Sequence, residues 1–387
     1  MLGTILDCLF FANFKLKVIE KNEFHILHIS SAKSWRGGER QISFLATELK
    51  KINVRQTIFC ANKSEIANWC FANNIDFITY DKIFSLNPLV AFEIKKICKK
   101  YPVTHIHTHD SHAHTFAVLA ISLFKINIPL IVHRRVDFPI KNNFLSIWKY
   151  NHPAVKSIIC VSDFIKKLIE PAIKNKQLIK TIYSGIDLSV KPIGTTDLRK
   201  EFNIPDDNLI IINLSAIAPH KDYFTFVNTA EILLKKGLKV TFLLIGGDGG
   251  EATDIAEFIE KKKIKDNLIM TGHRTDVQDI LAQADLMLFT SKTEGLGGAT
   301  LDALLAGVPV VSTKVGGVQE IIEHEKTGLL APIGNAKMLA EQVERMINDN
   351  QLRQACIENG IIKTRLFSKE QNAEKILSIY YSIHQNG

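Results

Sequence analysis

The stretch Ser291-Lys292-Thr293-Glu294-Gly295-Leu296-Gly297-Gly298-Ala299-Thr300-Leu301-Asp302-Ala303, followed by Gly307-Val308-Pro309-Val310-Val311, decides how the rest of the chain is read. An apolar strand ends at Thr290, a glycine-rich loop follows, and a helix opens near Gly298. Gly307 suits the left-handed residue that ends a helix, with Pro309 close behind. Leu301, Leu304 and Leu305 make the apolar stripe of that helix and leave Asp302 off it. Free N–H groups at a helix start, approached without side chains, form an anion site of the kind that holds a diphosphate. Glu294 and Asp302 put two carboxylates beside that anion, which makes sense if they accept hydrogen bonds from sugar hydroxyls.

Outward from this segment, short runs rich in Ile, Val and Phe alternate with stretches of helical period. Residues 24–30, 54–60, 75–80, 103–108, 129–133, 157–162 and 181–184 read as strands, with helices at 38–51, 88–100 and 163–174. After a loop at 192–196 a second series reads as strands at 209–215, 240–245, 268–271, 286–290 and 308–312. Its helices fall at 224–236, 251–262, 277–284 and 298–306. Strands this apolar, separated by helices, belong to parallel sheets covered on both faces. The expected fold is α/β, with two doubly wound domains whose functional residues follow the strand ends and face a shared cleft.

The 387 residues suit two domains, at 24–190 and 191–368, preceded by an extension at 1–23 and followed by a helix at 369–387 that packs back on the first domain. The extension reads equally as a surface helix, an interfacial anchor or residues upstream of the true start; it lacks the charge order and cleavage site of a signal peptide. A hydrophobic content of 46% with 23% charged residues excludes disordered and coiled-coil classes. No run reaches the roughly 18 apolar residues that a membrane span needs. Cys8, Cys60, Cys70, Cys98, Cys160 and Cys356 are scattered, which points to a reducing cytoplasm rather than to disulfides or a cysteine zinc site. Residues 1–190 carry 26 Lys and Arg against 14 Asp and Glu, whereas residues 191–387 carry 22 against 26. The basic half lacks interleaved stacking aromatics, so nucleic acid is not expected as a partner. An anionic membrane surface or an acidic, lipid-carried substrate fits it better.

The segment from Glu294 resembles the signature of the family-four retaining glycosyltransferases of GT-B fold: Glu, seven residues and a second Glu, with E-G-x-G after the first and Asp302 here in the second place. Other segments similar to that family recur in order. They are Arg36-Gly37-Gly38-Glu39-Arg40-Gln41, H-T-H-D-S-H-A-H at 107–114, V-H-R-R-V-D-F-P at 132–139, C-V-S at 160–162 and Y-S-G-I-D at 183–187. A-P-H-K-D at 218–222, G-G-D-G at 246–249, T-G-H-R-T-D-V at 271–277 and G-G-V-Q-E at 316–320 complete the set. The resemblance spans about residues 24–385 and implies two Rossmann-like domains facing across a cleft. It implies a hexose-like sugar moved, with retention and without a metal or other cofactor, from a nucleotide-diphosphate sugar to a glycan or lipid-linked acceptor. Synthesis of a cell-envelope polysaccharide such as lipopolysaccharide, in the cytoplasm or at the inner face of the membrane, is the expected setting.

Residue by residue, the resemblance gives catalytic roles to Glu294, to Lys221 (an ammonium against the leaving diphosphate) and to His133. Donor contacts fall to Gly37, Gly38, Arg274, Gly295, Leu296, Gly297, Gly298 and Asp302, and acceptor contacts to His109, Arg134 and Arg135. Two positions depart from the pattern. Ala216 stands where an Arg usually helps the Lys, with Arg274 a candidate substitute, and Asp302 is a methylene shorter than the usual Glu. His105, His107 and His109 alternate on one strand face, but adjacent members about 7 Å apart, without a nearby Cys or Glu, make a poor metal site. A nucleotide-sugar epimerase, or a protein of this fold that binds nucleotide sugar without turnover, are the alternatives. Neither G-x-G-x-x-G nor a P-loop occurs, which disfavours a dehydrogenase or an ATPase.

Overall fold

The computed structural model describes residues 24–81 and 87–385, so the extension at 1–23 lies outside the described residues. The first half runs β1 (His25–Ser30), α1 (Gly37–Lys51), β2 (Arg55–Ala61), α2 (Glu65–Ala72), β3 (Phe77–Tyr80), α3 (Pro88–Lys100) and β4 (His105–Thr108). It continues with α4 (Ser111–Phe124), β5 (Leu130–Arg134), α5 (Phe144–Tyr150), β6 (Val155–Cys160), α6 (Asp163–Ile169) and β7 (Ile179–Thr181). The second half begins with α7 (Leu198–Phe202), β8 (Leu209–Leu214), α8 (Tyr223–Lys235), β9 (Val240–Ile245), α9 (Ala252–Lys262) and β10 (Leu268–Gly272). Then come α10 (Val277–Leu281), β11 (Leu286–Phe289), α11 (Gly298–Leu305), β12 (Val310–Thr313), α12 (Val318–Ile321) and β13 (Leu329–Ala331). Three helices close the chain, α13 (Ala336–Asn348), α14 (Asn350–Thr364) and α15 (Lys369–Gln385).

The strands form two parallel sheets, in the orders β3-β2-β1-β4-β5-β6-β7 and β10-β9-β8-β11-β12-β13. Every residue of β1, β4, β5, β9, β11 and β12 is buried, as strands covered by helices on both faces require. Strand order reverses between β1 and β4 in one sheet and between β8 and β11 in the other. These are the points where doubly wound sheets open a crevice at their carboxyl ends.

Helices α2, α4 and α5 of the first half, and α7, α12, α13, α14 and strand β13 of the second, are additional to the elements expected from periodicity. Helix α4, Ser-His-Ala-His-Thr-Phe-Ala-Val-Leu-Ala-Ile-Ser-Leu-Phe, is apolar nearly all round, so no stripe marks it. It begins inside the 107–114 motif that reads as a loop, because Asp110 caps it by accepting from the N–H groups of His112 and Ala113 at 2.9 Å each.

The last helix returns to the first half. Ala373, Ile376, Leu377 and Tyr380 of α15 pack with Phe24, Ile26, Leu45, Leu49, Ile131 and Ile159. The return is pinned where Ile186 N–H donates to Phe367 O at 2.7 Å and Lys369 N–H to Ile186 O at 2.9 Å. Gly185 has no room for a side chain there, since a Cβ would stand 2.6 Å from Lys369 Cα. The halves also touch directly. Ser162 Oγ donates to Gly295 O at 2.6 Å, and the Glu320 carboxylate accepts from Asp163 and Phe164 N–H at 2.9 and 2.8 Å at the start of α6. Among the described residues, no helix is long and apolar enough to cross a membrane.

Candidate active site

The loops that leave β8 and β11 lie side by side at the second sheet's reversal point and are stitched together. Lys292 N–H donates to His220 O at 2.8 Å and Thr290 Oγ1 to Lys221 O at 3.1 Å. Lys221 ends a single turn of 3-10 helix, and Asp222 follows in the left-handed region (φ 53°), capping α8. This fold-back carries the Lys221 ammonium onto Glu294 Oε1, and Ser291 Oγ donates to the same oxygen at 2.9 Å. The two charged side chains retain only 16% and 12% of their surface. Lys221 and Glu294, carried by loops after different strands, therefore meet, four residues before α11 opens at Gly298.

The glycines that join Glu294 to α11 have separate reasons. At Gly295 a Cβ would stand 2.3 Å from Arg135 O of the first half, so the two backbones can abut only if this residue has no side chain. Gly297 lies in the left-handed region (φ 92°), and a Cβ there would also meet Val318 Cγ2 at 2.7 Å. Gly298 opens α11 with nothing within 4 Å of its missing side chain, leaving the first N–H groups approachable. The Leu296 side chain is buried in the core, which leaves its backbone as the part that could meet a donor. Gly37 and Gly38 begin α1 and likewise have nothing within 4 Å of a would-be Cβ.

Two expected donor contacts are otherwise engaged. Arg274 is clamped by Asp276, to which Nε donates at 2.9 Å, and by Glu201. Its hydrogen bonds go to these two carboxylates and none to Lys221 or Glu294. Asp302 is buried rather than open, because Arg40 of α1 reaches across and donates to both of its oxygens, at 2.6 and 2.7 Å. Arg40 was present in the quoted Arg36–Gln41 motif, but only the joined halves show what it touches.

The first half contributes a layer of buried histidines under its own reversal point. The β1–β4 register sets His28 beside His107. The His107 and His109 rings lie 4.2 Å apart, much closer than strand alternation predicts, since His109 follows the end of β4. His133 stacks on His107 at 5.5 Å with 3° between the planes. Arg135 donates to His109 O at 2.9 Å and to the Nδ1 atoms of His109 and His133 at 3.2 Å each. A guanidinium only donates, so both Nδ1 atoms accept and both neutral rings carry their proton on Nε2. His109 Nε2 then donates to His28 Nδ1 at 3.0 Å, while Tyr380 Oη meets His107 Nδ1 at 2.6 Å. Desolvation first, then neighbouring cations and rings, hold His107, His109 and His133 well below the usual imidazole range and push His28 down to about 3.

These contacts bear on the expected acceptor residues His109, Arg134 and Arg135 and on His133, which was expected to be catalytic. His109 and His133 are buried members of the layer rather than open cleft groups, and Arg135 is the cation that orients them. Arg134 is turned away: it donates to Phe138 O and, at 3.2 Å, to Tyr150 Oη, tying the 135–140 loop to α5. One nitrogen each from His28, His107 and His109 lies within 4.8 Å of the others, the spacing of a metal trio. In this hydrogen-bonded arrangement they do not suit a divalent ion, because the His109 Nε2 that faces His28 carries a proton and the Arg135 charge lies alongside.

Comparison with known proteins points the same way. A family model described as glycosyl transferases group 1 matches residues 194–363, and one described as glycosyltransferase family 4 matches residues 35–190. The chain is 33% identical over 215 residues to an N-acetyl-alpha-D-glucosaminyl L-malate synthase from Bacillus anthracis, a match covering 55% of each chain. It is 24% identical over 231 residues to the capsular polysaccharide biosynthesis glycosyltransferase CapM of Staphylococcus aureus, covering 58% of this chain and 60% of that one. The matches thus span little more than half the length of these relatives. Among solved structures, Anabaena HepE in complex with UDP and glucose superposes with a TM-score of 0.80 at 20% identity, covering 93% of this chain and all of that one. A glycosyltransferase from Rickettsia africae gives 0.82 at 22% identity, covering 94% of this chain and 99% of that one.

Proposed function

The chain belongs to the family-four glycosyltransferases of GT-B fold, and we propose that it moves a hexose-like sugar, with retention, from a nucleotide-diphosphate sugar to a glycan or lipid-linked acceptor in cell-envelope polysaccharide synthesis. The observation that carries this reading is the Lys221–Glu294 pair beside the open start of α11, pressed against the first half at Gly295.

The pair is a stored arrangement for a donor. When a diphosphate settles on the α11 N–H groups, it offers Lys221 a stronger partner than Glu294 and takes over the ammonium. Glu294, still held by Ser291, is then free to accept hydrogen bonds from sugar hydroxyls. As the glycosidic bond breaks, charge grows on the leaving phosphate, where Lys221 and the helix N–H groups already point. The departing phosphate takes the acceptor proton, so the chain supplies no separate base, and the reaction needs no metal. The neutral His133–His107 stack closes the floor below the sugar without adding a charge.

We further propose that the protein works in the cytoplasm against the inner face of the membrane. The basic balance of residues 1–190 supports this, as do Phe138, Phe144 and Leu145, exposed at 52%, 81% and 61% beside the loop that follows β5. Salt-sensitive binding to anionic vesicles is the expected result, and binding indifferent to vesicle charge would remove the proposal.

A screen of nucleotide sugars tests the activity. Donor-dependent release of free nucleoside diphosphate with a glycosylated product supports a transferase. An epimerised donor without release would make the protein an epimerase, and donor binding with neither would make it a sensor.

A further inference from the structure

Arg40 lies in the first turn of α1, yet its guanidinium ends on α11 of the other half. Nη1 and Nη2 donate end-on to Asp302 Oδ2 and Oδ1. Asp302 stands about one turn along α11 from Gly298 and the approachable first N–H groups. It is the acid that the sequence offers to the hydroxyls of a donor, the place an acidic residue takes beside the ribose in dinucleotide sites. In the folded chain that place is filled. A carboxylate has room for about four donors. The Asp302 side chain keeps only 6% of its surface, however, and a ribose diol does not reach it while the guanidinium lies there.

The competing partners are closely matched. A ribose O–H on a carboxylate is charge-assisted, as a guanidinium N–H is. Arg40 adds its net charge, but its side chain keeps 31% of its surface, so water and salt screen the pair from the open side. A ligand already anchored by its phosphates on the α11 N–H groups can therefore exchange the fork for its own diol. Helix α1 does not follow the exchange. Gln41, the next residue, donates from Nε2 to Gly185 O and accepts the Gly185 N–H on Oε1, at 2.7 Å each. Gly185 adjoins the crossing where Ile186 bonds to Phe367 and Lys369, so α1 stays fastened to the connection between the halves whatever Asp302 does.

We propose that the Arg40–Asp302 fork is an autoinhibitory latch: it fills the ribose acid while the site is empty, and the ribose diol of the donor displaces it. The inference rests on the nucleotide-sugar reading of the site. Both carboxylates of the empty site are then covered by cations, Glu294 by Lys221 from its own half and Asp302 by Arg40 from the other. The diphosphate lifts the first cover and the ribose the second, so only a ligand carrying both parts clears the site of its internal partners. Because Arg40 belongs to the first half, loss of the latch carries the news of donor occupancy across the cleft.

Binding of uridine, guanosine and adenosine would be followed by ligand-observed nuclear magnetic resonance, and that of UDP, GDP, ADP and inorganic pyrophosphate by calorimetry. The full chain is used throughout, with circular dichroism to check folding. Wild type would be compared with Arg40→Ala, with Arg40→Met, which keeps the stem beside Phe44, with Asp302→Asn and with the Arg40→Met/Asp302→Asn pair. Removing the guanidinium should tighten the nucleoside that fits by a factor on the order of ten, the factor by which the latch lowers the open fraction, and leave pyrophosphate within about threefold. In the Asp302→Asn background the same change should do nothing, because Arg40 acts only through the acid. Salt tests the wild type by itself: it screens the fork and not a neutral ligand, so nucleoside binding should tighten as salt rises, and stay flat in Arg40→Met. Unchanged or weaker nucleoside binding without the guanidinium, or wild-type binding that ignores salt, would overturn the proposal by showing that Arg40 and the ribose share the acid. Failure of wild type to bind any nucleoside or nucleotide sinks the nucleotide-sugar reading itself, a different result from binding that is indifferent to Arg40.

Discussion

Gly295→Ala tests whether the abutting halves set the geometry of the site. The new methyl would stand 2.3 Å from Arg135 O and 3.3 Å from its carbonyl carbon. A carbon–oxygen contact settles at about 3.3–3.6 Å, so the backbones must part by roughly 1 Å. Neither side yields easily: Gly295 O is held by Ser162 Oγ at 2.6 Å, and it lies 2.3 Å from where a Cβ on Gly317 would stand. The displacement therefore passes to the adjacent Glu294. A misplacement of about 1 Å costs on the order of a hundredfold in rate, while overpacking of this kind costs about 1–3 kcal/mol of stability. For domains of this size that is a fall of about 2–12 °C in Tm. The assay is steady-state transfer from whichever nucleotide sugar the screen identifies, alongside thermal unfolding. A folded variant whose kcat/KM stays within threefold of wild type would refute the reasoning, because the abutment would then have no hold on Glu294.

Other outcomes follow from the same contacts. Glu294→Gln keeps the shape but removes the carboxylate, and should lower turnover by about a hundredfold or more in a normally folded protein, read by product formation. The buried histidines titrate far below their unfolded value of about 6.5, so their stability is present above that pH and is lost as pH falls below it. Each should add a slope of up to about 1.4 kcal/mol per pH unit in denaturant titrations, and His28→Asn, which keeps an acceptor for His109, should remove about one proton's worth. Asp279 is held down to about 2 by the N–H of Gly194, with Thr195 and Ile193 adding bonds. Its contribution is therefore present above about pH 4 and lost between there and about 2, and Asp279→Asn should flatten that part of an acid-unfolding curve. Tyr380→Phe removes the hydroxyl on His107 Nδ1 and should cost about 1 kcal/mol in denaturant unfolding with little change in the far-ultraviolet spectrum.

What the sequence discloses and what it hides divide along physical lines. Short continuous apolar runs bounded by glycine-marked turns place most strands within a residue or two, because strands buried on both faces carry few polar residues. Lys221, Glu294 and Gly298 are legible together because each follows a strand at the reversal point of one sheet. Arg274 and Arg134 show the limit. Their charge suits an anion, but only packing reveals that Glu201 and Asp276, or Phe138 and Tyr150, already hold them. Arg40 and Asp302 stand 262 residues apart, so no local pattern links them. The histidine layer was half visible: alternation along β4 pointed to a shared face, but His28 joins only through strand register.

The return of α15 has a consequence for synthesis. Ile26, Ile131 and Ile159 emerge from the ribosome long before Ile376, Leu377 and Tyr380, which cover them. At about 5–20 residues per second, the nascent first sheet waits roughly 10–40 s with an apolar strip uncovered. Maturation is thus not strictly amino-to-carboxyl: the earlier lobe completes its interior only when the final helix is released. Until then the apolar strip of Ile26, Ile131 and Ile159 lacks the cover that Ile376, Leu377 and Tyr380 give it.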